Sequence, residues 1–305
     1  MNATLHTIDG RSLLRFERRL AHPVEKVWRA ITDPDQMAHW FPAAVEMDFR
    51  LGGRIRFVFP GGQMEPTDGA ITELDPPRAF AFTWNGDPLR LELRPDGDGS
   101  LLIFTHAFDD RPMAGSFATG WDTCLGALEK VVAGPDGQAS IVPEHYAERH
   151  DTYAEAFGLT EGTVGDDTGE PAVRFERLLP HPVEQVWPAL TGPGEPVVGG
   201  PPPVPATAGH LPAGTLTEVE PHQILEYTWP TGGRVRWELT GGHPAGTRVV
   251  LTQTLPAGDP VTALAAWHTR LDLLAGRLRG LAEDPRPEDR AAELTKRYTE
   301  LAEAR

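Results

Sequence analysis

RFERRLAHPVEKVW at residues 15–28 is repeated with few changes as RFERLLPHPVEQVW at residues 174–187. The match continues toward the C-terminus, where GAITELDPPRAFAFTW from Gly69 has the counterpart GTLTEVEPHQILEYTW from Gly214. A unit of this length exceeds the roughly 20–50 residues of a solenoid repeat. The chain is therefore predicted to hold two copies of one whole domain.

The second copy is shorter than the first in one region. Phe16 and Trp84 correspond to Phe175 and Trp229, but the second pair is about 14 residues closer in sequence. Residues 191–209, which lie there, are mostly proline and glycine, and both residue types weaken or exclude an interior strand. We expect an irregular loop there and about two fewer strands. We expect this loop, before the first copy or a second chain, to cover the apolar helix face that the lost strands expose.

The domain boundaries follow from the repeat. Residues 1–158 are predicted to form the complete domain and residues 171–305 the shortened one, each with a trailing helix, near residues 143–157 and 287–304. The segment between them, LTEGTVGDDTGE at residues 159–170, is glycine-rich and acidic and is predicted to be a flexible linker.

Composition excludes several classes of partner. The 305 residues suffice for two hydrophobic cores, and 44 acidic against 28 basic residues leave a net charge of −16, which argues against nucleic-acid binding. The single cysteine excludes an intrachain disulfide and fits a reducing compartment. No apolar stretch has the length of a signal or membrane segment. These features predict a cytoplasmic protein without a membrane or nucleic-acid partner.

The order of elements predicts the fold class. Each copy has a strand and a helix, then several strands divided by turn signals, then a long helix, so we expect an α+β fold with an antiparallel sheet around the closing helix. Positions that stay apolar in both copies identify the inner strand faces. Phe104 corresponds to Leu251, so His106, two residues on and matched by Gln253, is also predicted to point inward.

Several runs in the first copy resemble a known superfamily. They are HPVEKVWRAITDPDQMAHWFP from His22, GGRIRF from Gly52, a strand that ends in TH at His106, and GWDTCLGALE from Gly120. Together they resemble the SRPBCC or START-like superfamily, and within it the bacterial-type homologues of the activator of heat-shock-protein ATPase (AHSA-type). The resemblance implies two tandem helix-grip domains, the second degenerate. It also implies a cavity for a hydrophobic small molecule between sheet and long helix.

The sequence has no motif of an established enzyme class. It lacks a phosphate-binding glycine loop, HExxH, paired-cysteine metal spacing and GxSxG, so we expect no metal and no cofactor. His106 is the best catalytic candidate, as an inward polar residue on an aromatic face. Its alternative is a core histidine that is hydrogen-bonded to a backbone group or to water.

Ten residues are predicted to line the cavity. Trp40 and Phe41 either gate its opening or pack in the core, and Cys124 is either a reactive thiol or a small buried hydrophobe. The full set is Trp40, Phe41, Phe57, Phe59, Phe82, Trp84, Phe104, His106, Trp121 and Cys124.

The sequence favours a binding protein over an enzyme. We expect the N-terminal domain to bind a hydrophobic, aromatic or polycyclic small molecule. One alternative is a cofactor-independent cyclase or dehydratase that uses His106 as acid or base. The other is a co-chaperone-like module with a protein partner, and a homodimer is also compatible with the sequence.

Overall fold

The structure is a computed structural model, which describes residues 3–59, 65–134, 145–167, 169–209, 212–229, 232–254, 259–282 and 287–303. The chain divides into two compact units, Met1–Tyr153 (unit one) and Ala154–Arg305 (unit two). In the described residues, each unit contains an antiparallel sheet, a long helix after the last strand of that sheet, and a further helix that follows it. The predicted α+β class is confirmed.

Unit one has eight strands in the order β1-β2-β8-β7-β6-β5-β4-β3. The terminal strand β1 was not predicted from the sequence. The elements are β1 (Ala3–Ile8), β2 (Arg11–Leu20), α1 (Val24–Thr32), α2 (Pro34–Met37), β3 (Ala44–Met47), β4 (Arg54–Val58), β5 (Thr67–Asp75), β6 (Ala79–Trp84), β7 (Asp87–Asp96), β8 (Gly99–Phe108), α3 (Ala114–Ala133) and α4 (Tyr146–Ala156).

Unit two has six strands in the order β11-β12-β13-β14-β10-β9. Among the described residues of unit two, counterparts of β3 and β4 are absent, as the shortened repeat predicted. The elements are β9 (Thr163–Asp167), β10 (Glu170–Leu179), α5 (Val183–Thr191), β11 (Leu216–Glu220), β12 (Ile224–Thr228), β13 (Arg234–His243), β14 (Gly246–Thr254), α6 (Pro260–Leu278) and α7 (Pro287–Glu303).

The predicted linker contains a strand. β9 pairs antiparallel with β10, and the backbone N–H of Gly162 donates to the Tyr298 hydroxyl at 2.9 Å. The turn between β9 and β10 uses Gly169 at φ +88°, which glycine adopts without the steric cost of a side chain. Glycine and acidic residues, which suggested a linker, here build the turn and the exposed face of an edge hairpin.

The proline-rich segment between α5 and β11 closes the core of unit two. Residues 191–209 contain no strand and only one turn of 3-10 helix, Val204–Ala206. The Ala206 carbonyl accepts hydrogen bonds from the Tyr227 hydroxyl at 3.0 Å and from Trp237 Nε1 at 3.1 Å. Ala206 is fully buried in the core that Leu271 and Leu274 of α6 share. The loop therefore covers the long helix, as expected.

A partly buried charge cluster joins three elements in unit two. Arg177 of β10 donates to Asp272 of α6 at 2.9 Å and to the Thr160 carbonyl at 2.7 Å, and Arg290 of α7 donates to the other Asp272 oxygen at 3.0 Å. Burial by itself would raise the pKa of Asp272, but Arg177, with His268 and Arg290, lowers it below its usual range. These ion pairs fix the trailing helix α7 on unit two.

Unit one has an equivalent cluster with a second acid. Arg18 of β2, at the position of Arg177, binds Asp122 of α3 and lies 3.2 Å from Glu129. Arg149 of α4 donates to Asp122 at 2.5 Å. α4 spans most of the helix predicted over residues 143–157, of which 143 and 144 lie outside the described residues.

Candidate functional site

A cluster of aromatic rings occupies the space between the sheet of unit one and α3. Strand alternation supplies most of it, because side chains two residues apart share a face. We call this set the ring cluster. Its members are Phe41 after α2, Phe57 of β4, Phe59 after β4, Phe82 and Trp84 of β6, Phe104 of β8 and Trp121 of α3.

Phe41 lies near the centre of the ring cluster. Its ring centroid is 5.7 Å from that of Phe57, 5.4 Å from Trp84 and 5.7 Å from Trp121, all within the 4.5–7 Å range of favourable aromatic pairs. Phe41 is only 2% exposed. Neighbouring Trp40 is also buried and donates its Nε1–H to the Ala30 carbonyl at 2.9 Å. Both residues therefore pack in the core in this structure.

The ring cluster reaches solvent at one edge. Phe59 and Trp84 are half-buried, and their rings stack at 5.9 Å with an interplanar angle of 26°. Trp84 also stacks on the fully buried Phe57 at 5.2 Å. Aromatic surface is thus continuous from the exterior to the centre of unit one.

His106 is buried and faces a polar partner on each side of its ring. Trp121 donates its Nε1–H to Nδ1 at 3.1 Å, and the Asp87 carboxylate lies 3.5 Å from Nε2. An indole can only donate, so Nδ1 carries no proton and the neutral ring is protonated at Nε2, toward Asp87. Arg11 binds Asp87 at 3.0 Å. The ring also contacts Phe117 edge-to-face at 4.7 Å.

This arrangement makes His106 a hydrogen-bond acceptor for Trp121. A general base requires a ring nitrogen that can reach the substrate, and here Nδ1 is occupied by the indole while Nε2 faces Asp87. Unit two repeats the pair without a titratable group, because Trp267 donates its Nε1–H to Oε1 of Gln253. The shared feature of the two units is an acceptor for the buried indole.

Cys124 lies on α3, one turn after Trp121, and is buried. Burial raises the pKa of its thiol to about 12, so the reactive thiolate is scarce at neutral pH. Among the described residues no three His, Cys, Asp or Glu side chains group as a metal site requires.

Sequence reasoning missed the polar residues around His106. Asp87 and Arg11 each start a strand directly after a turn, Asn85-Gly86 and Asp9-Gly10, and neither residue was assigned a role from the sequence. The sheet register explains their position: His106 pairs with Leu14 of β2 and Leu89 of β7, and both residues lie close to the start of their strand.

A family profile matches residues 21–133, and its description is activator of Hsp90 ATPase homolog 1-like protein (AHSA1). Residues 21–133 form an AHSA1-type domain. The matched range lies within unit one and includes all ten predicted site residues. A search of curated proteins gave no match.

Three similar solved structures each cover about half of this chain or less. CalU16 from Micromonospora echinospora is 27% identical, with 51% of this chain and 96% of CalU16 aligned and a TM-score of 0.40. A conserved protein of unknown function from Enterococcus faecalis is 22% identical over 51% and 90% of the two chains, with a TM-score of 0.44. The Aha1 dimer from Colwellia psychrerythraea is 20% identical over 39% and 95%, with a TM-score of 0.35.

The AHSA1-type fold is known for binding hydrophobic ligands.

Within the described residues, no helix combines the length and apolar character needed to cross a membrane.

Proposed function

We propose that the AHSA1-type domain of unit one binds a hydrophobic, aromatic or polycyclic small molecule among the rings of the ring cluster. The continuity of aromatic surface from half-exposed Phe59 and Trp84 to buried Phe57 supports this proposal. The cluster rings contact one another, so a ligand enters where Phe59 and Trp84 can move apart. The protein is proposed to act in the cytoplasm, where its single cysteine stays reduced.

The indole N–H groups in and beside the ring cluster already have acceptors, so they offer a ligand no hydrogen bonds. The indole N–H groups of Trp40, Trp84 and Trp121 donate to the Ala30 carbonyl, to Thr67 Oγ1 at 3.1 Å and to His106, respectively. Recognition therefore rests on ring faces and shape. A neutral ligand with few hydrogen-bonding groups fits best, because polar atoms left without partners inside the domain would be costly.

The proposal is tested by fluorescence titration of the full-length protein with N-phenyl-1-naphthylamine, a neutral aromatic probe. Phe59→Asp places a charge at the solvent edge of the cluster and is expected to weaken binding about tenfold or more, the equivalent of one lost apolar side-chain contact. The matched control is Phe49→Asp. Phe49 is also half-exposed in unit one, but its ring contact is with Phe80, outside the cluster.

The control should bind the probe within about twofold of the wild type. Equal affinity of Phe59→Asp and wild type, or no saturable binding by the wild type, would contradict the proposal.

The co-chaperone alternative rests on the family description alone. An affinity pull-down with a purified heat-shock ATPase, with and without ATP, distinguishes it from small-molecule binding. The cyclase alternative has less support, because the ring nitrogens of His106 face Trp121 and Asp87.

A further inference from the structure

The hydrogen bond between Trp121 and His106 depends on a proton. Nδ1 accepts only while it is unprotonated, because the indole has no lone pair to offer in return. If the ring gains a proton, two N–H groups face each other across 3.1 Å and the bond is lost. The same proton strengthens the contact of Nε2–H with the Asp87 carboxylate. Protonation therefore exchanges a contact with α3 for a stronger one with β7.

The charged groups around His106 oppose one another. The Asp87 carboxylate of β7 lies 3.5 Å from Nε2, and Arg11 of β2 binds both Asp87 and Asp109. α3 presents the non-titrating rings of Phe117 and Trp121. In the sheet, the residues paired with His106 are Leu14 and Leu89, and Phe108 of β8 contacts its ring.

Release of Trp121 would reach the ring cluster directly. The Trp121 ring lies 4.7 Å from Phe104, 5.7 Å from Phe41 and 5.9 Å from Trp84. These three rings belong to β8, to the segment after α2 and to β6, so a movement of Trp121 would change its contacts with all three segments.

We infer that His106 is a positioning residue, which holds Trp121 against the ring cluster when neutral and releases it when protonated, so that acidification weakens ligand binding. The inference rests on the proposed function for its effect on the ligand, but the movement of Trp121 can be measured without one. Unit two supplies an internal control, because Gln253 holds Trp267 without a titratable atom.

The test uses full-length protein labelled with ¹⁵N-tryptophan and follows the indole resonances from pH 8 to pH 5. Trp121→Phe identifies the Trp121 resonance, which is expected to shift with pH, whereas the Trp267 resonance stays fixed. Neighbouring His268 does not disturb this control, because burial, followed by the charge of Arg177, lowers its pKa to about 3. His106→Gln should abolish the shift.

Probe affinity gives a second reading. N-phenyl-1-naphthylamine is expected to bind the wild type about tenfold more weakly at pH 5 than at pH 8, which is the equivalent of one hydrogen bond, and to bind His106→Gln nearly equally at both. A Trp121 resonance as fixed as that of Trp267, or one that still shifts in His106→Gln, overturns the inference. A shifting Trp121 with no probe binding at any pH would support the positioning role and contradict the proposed function.

Discussion

Units one and two solve the same packing problem with different chemistry. Each buries a tryptophan of its long helix, and each supplies an acceptor for the indole N–H from the equivalent position of the last main strand. That acceptor is Nδ1 of His106 in unit one and Oε1 of Gln253 in unit two. Both units thus place an acceptor at this position, and only the imidazole of unit one can take up a proton, since the amide of Gln253 does not titrate.

The units differ more in how their cores are closed. In unit one the ring of Phe41 enters the core and contacts other rings. In unit two the backbone carbonyl of Ala206 occupies the centre and accepts two hydrogen bonds from Tyr227 and Trp237. A carbonyl fixed by two donors is harder to displace than a ring held by dispersion alone. The proposed ligand site is accordingly assigned to unit one.

The largest difference between the two units is expected in how much their partly buried charge clusters contribute to stability. Asp272→Ala should lower the free energy of unfolding by about 3 kcal/mol, because it leaves the buried Arg177 guanidinium without its carboxylate. Asp122→Ala should cost less, since Arg18 keeps Glu129 at 3.2 Å. Urea unfolding measures both. Asp96→Ala, which removes an exposed pair with Arg19, serves as control and should cost less than about 1 kcal/mol. Equal losses for Asp272→Ala and Asp122→Ala would contradict the comparison.

A second difference is expected in how acid changes the free energy of unfolding, because unit two contains the buried His268. The pKa of folded His268, about 3, lies below that of an ordinary histidine, so between about pH 6.5 and 3 the unfolded chain binds a proton that the folded chain does not. The free energy of unfolding therefore falls as pH falls. Relative to His268→Gln, the wild type should lose about 2 kcal/mol between pH 6.5 and 4.5. Asp272 titrates below this window. Parallel pH profiles of wild type and variant would show that His268 is not buried in its neutral form.

The two indole acceptors should be equally important. His106→Leu and Gln253→Leu each remove a hydrogen-bond acceptor of a buried indole N–H and should each lower the free energy of unfolding by between about 1 and 2 kcal/mol. Urea unfolding of wild type and both variants at pH 8 tests this. A loss confined to one unit would mean that the two positions are not equivalent.

The smallest effect is expected at Tyr227, which differs from its unit-one counterpart Phe82 only by a hydroxyl group. Tyr227→Phe removes one hydrogen bond to Ala206 and should cost about 1 kcal/mol. The reverse change, Phe82→Tyr, buries a hydroxyl among rings and should cost more. Thermal denaturation of both variants decides the order, and a larger loss for Tyr227→Phe would be inconsistent with the closure of unit two described above.

Much of this fold could be predicted because the sequence contains two copies of the same domain. Comparison of the copies identified the inner face of β8, the loss of two strands and the loop that replaces them. β1 and β9 were missed because edge strands carry a weak apolar alternation, and β9 is almost fully exposed. Asp87 and Arg11 were missed because their place beside His106 depends on the sheet register, which the sequence around the turns does not show.

The most direct test is the reciprocal exchange His106→Gln with Gln253→His in one chain, followed by its indole resonances from pH 8 to pH 5. Because each position supplies only an acceptor, both indoles should remain hydrogen-bonded at pH 8. The pH-dependent shift should move from Trp121 to Trp267. Loss of either hydrogen-bonded resonance at pH 8, or a shift that stays with Trp121, would contradict the account.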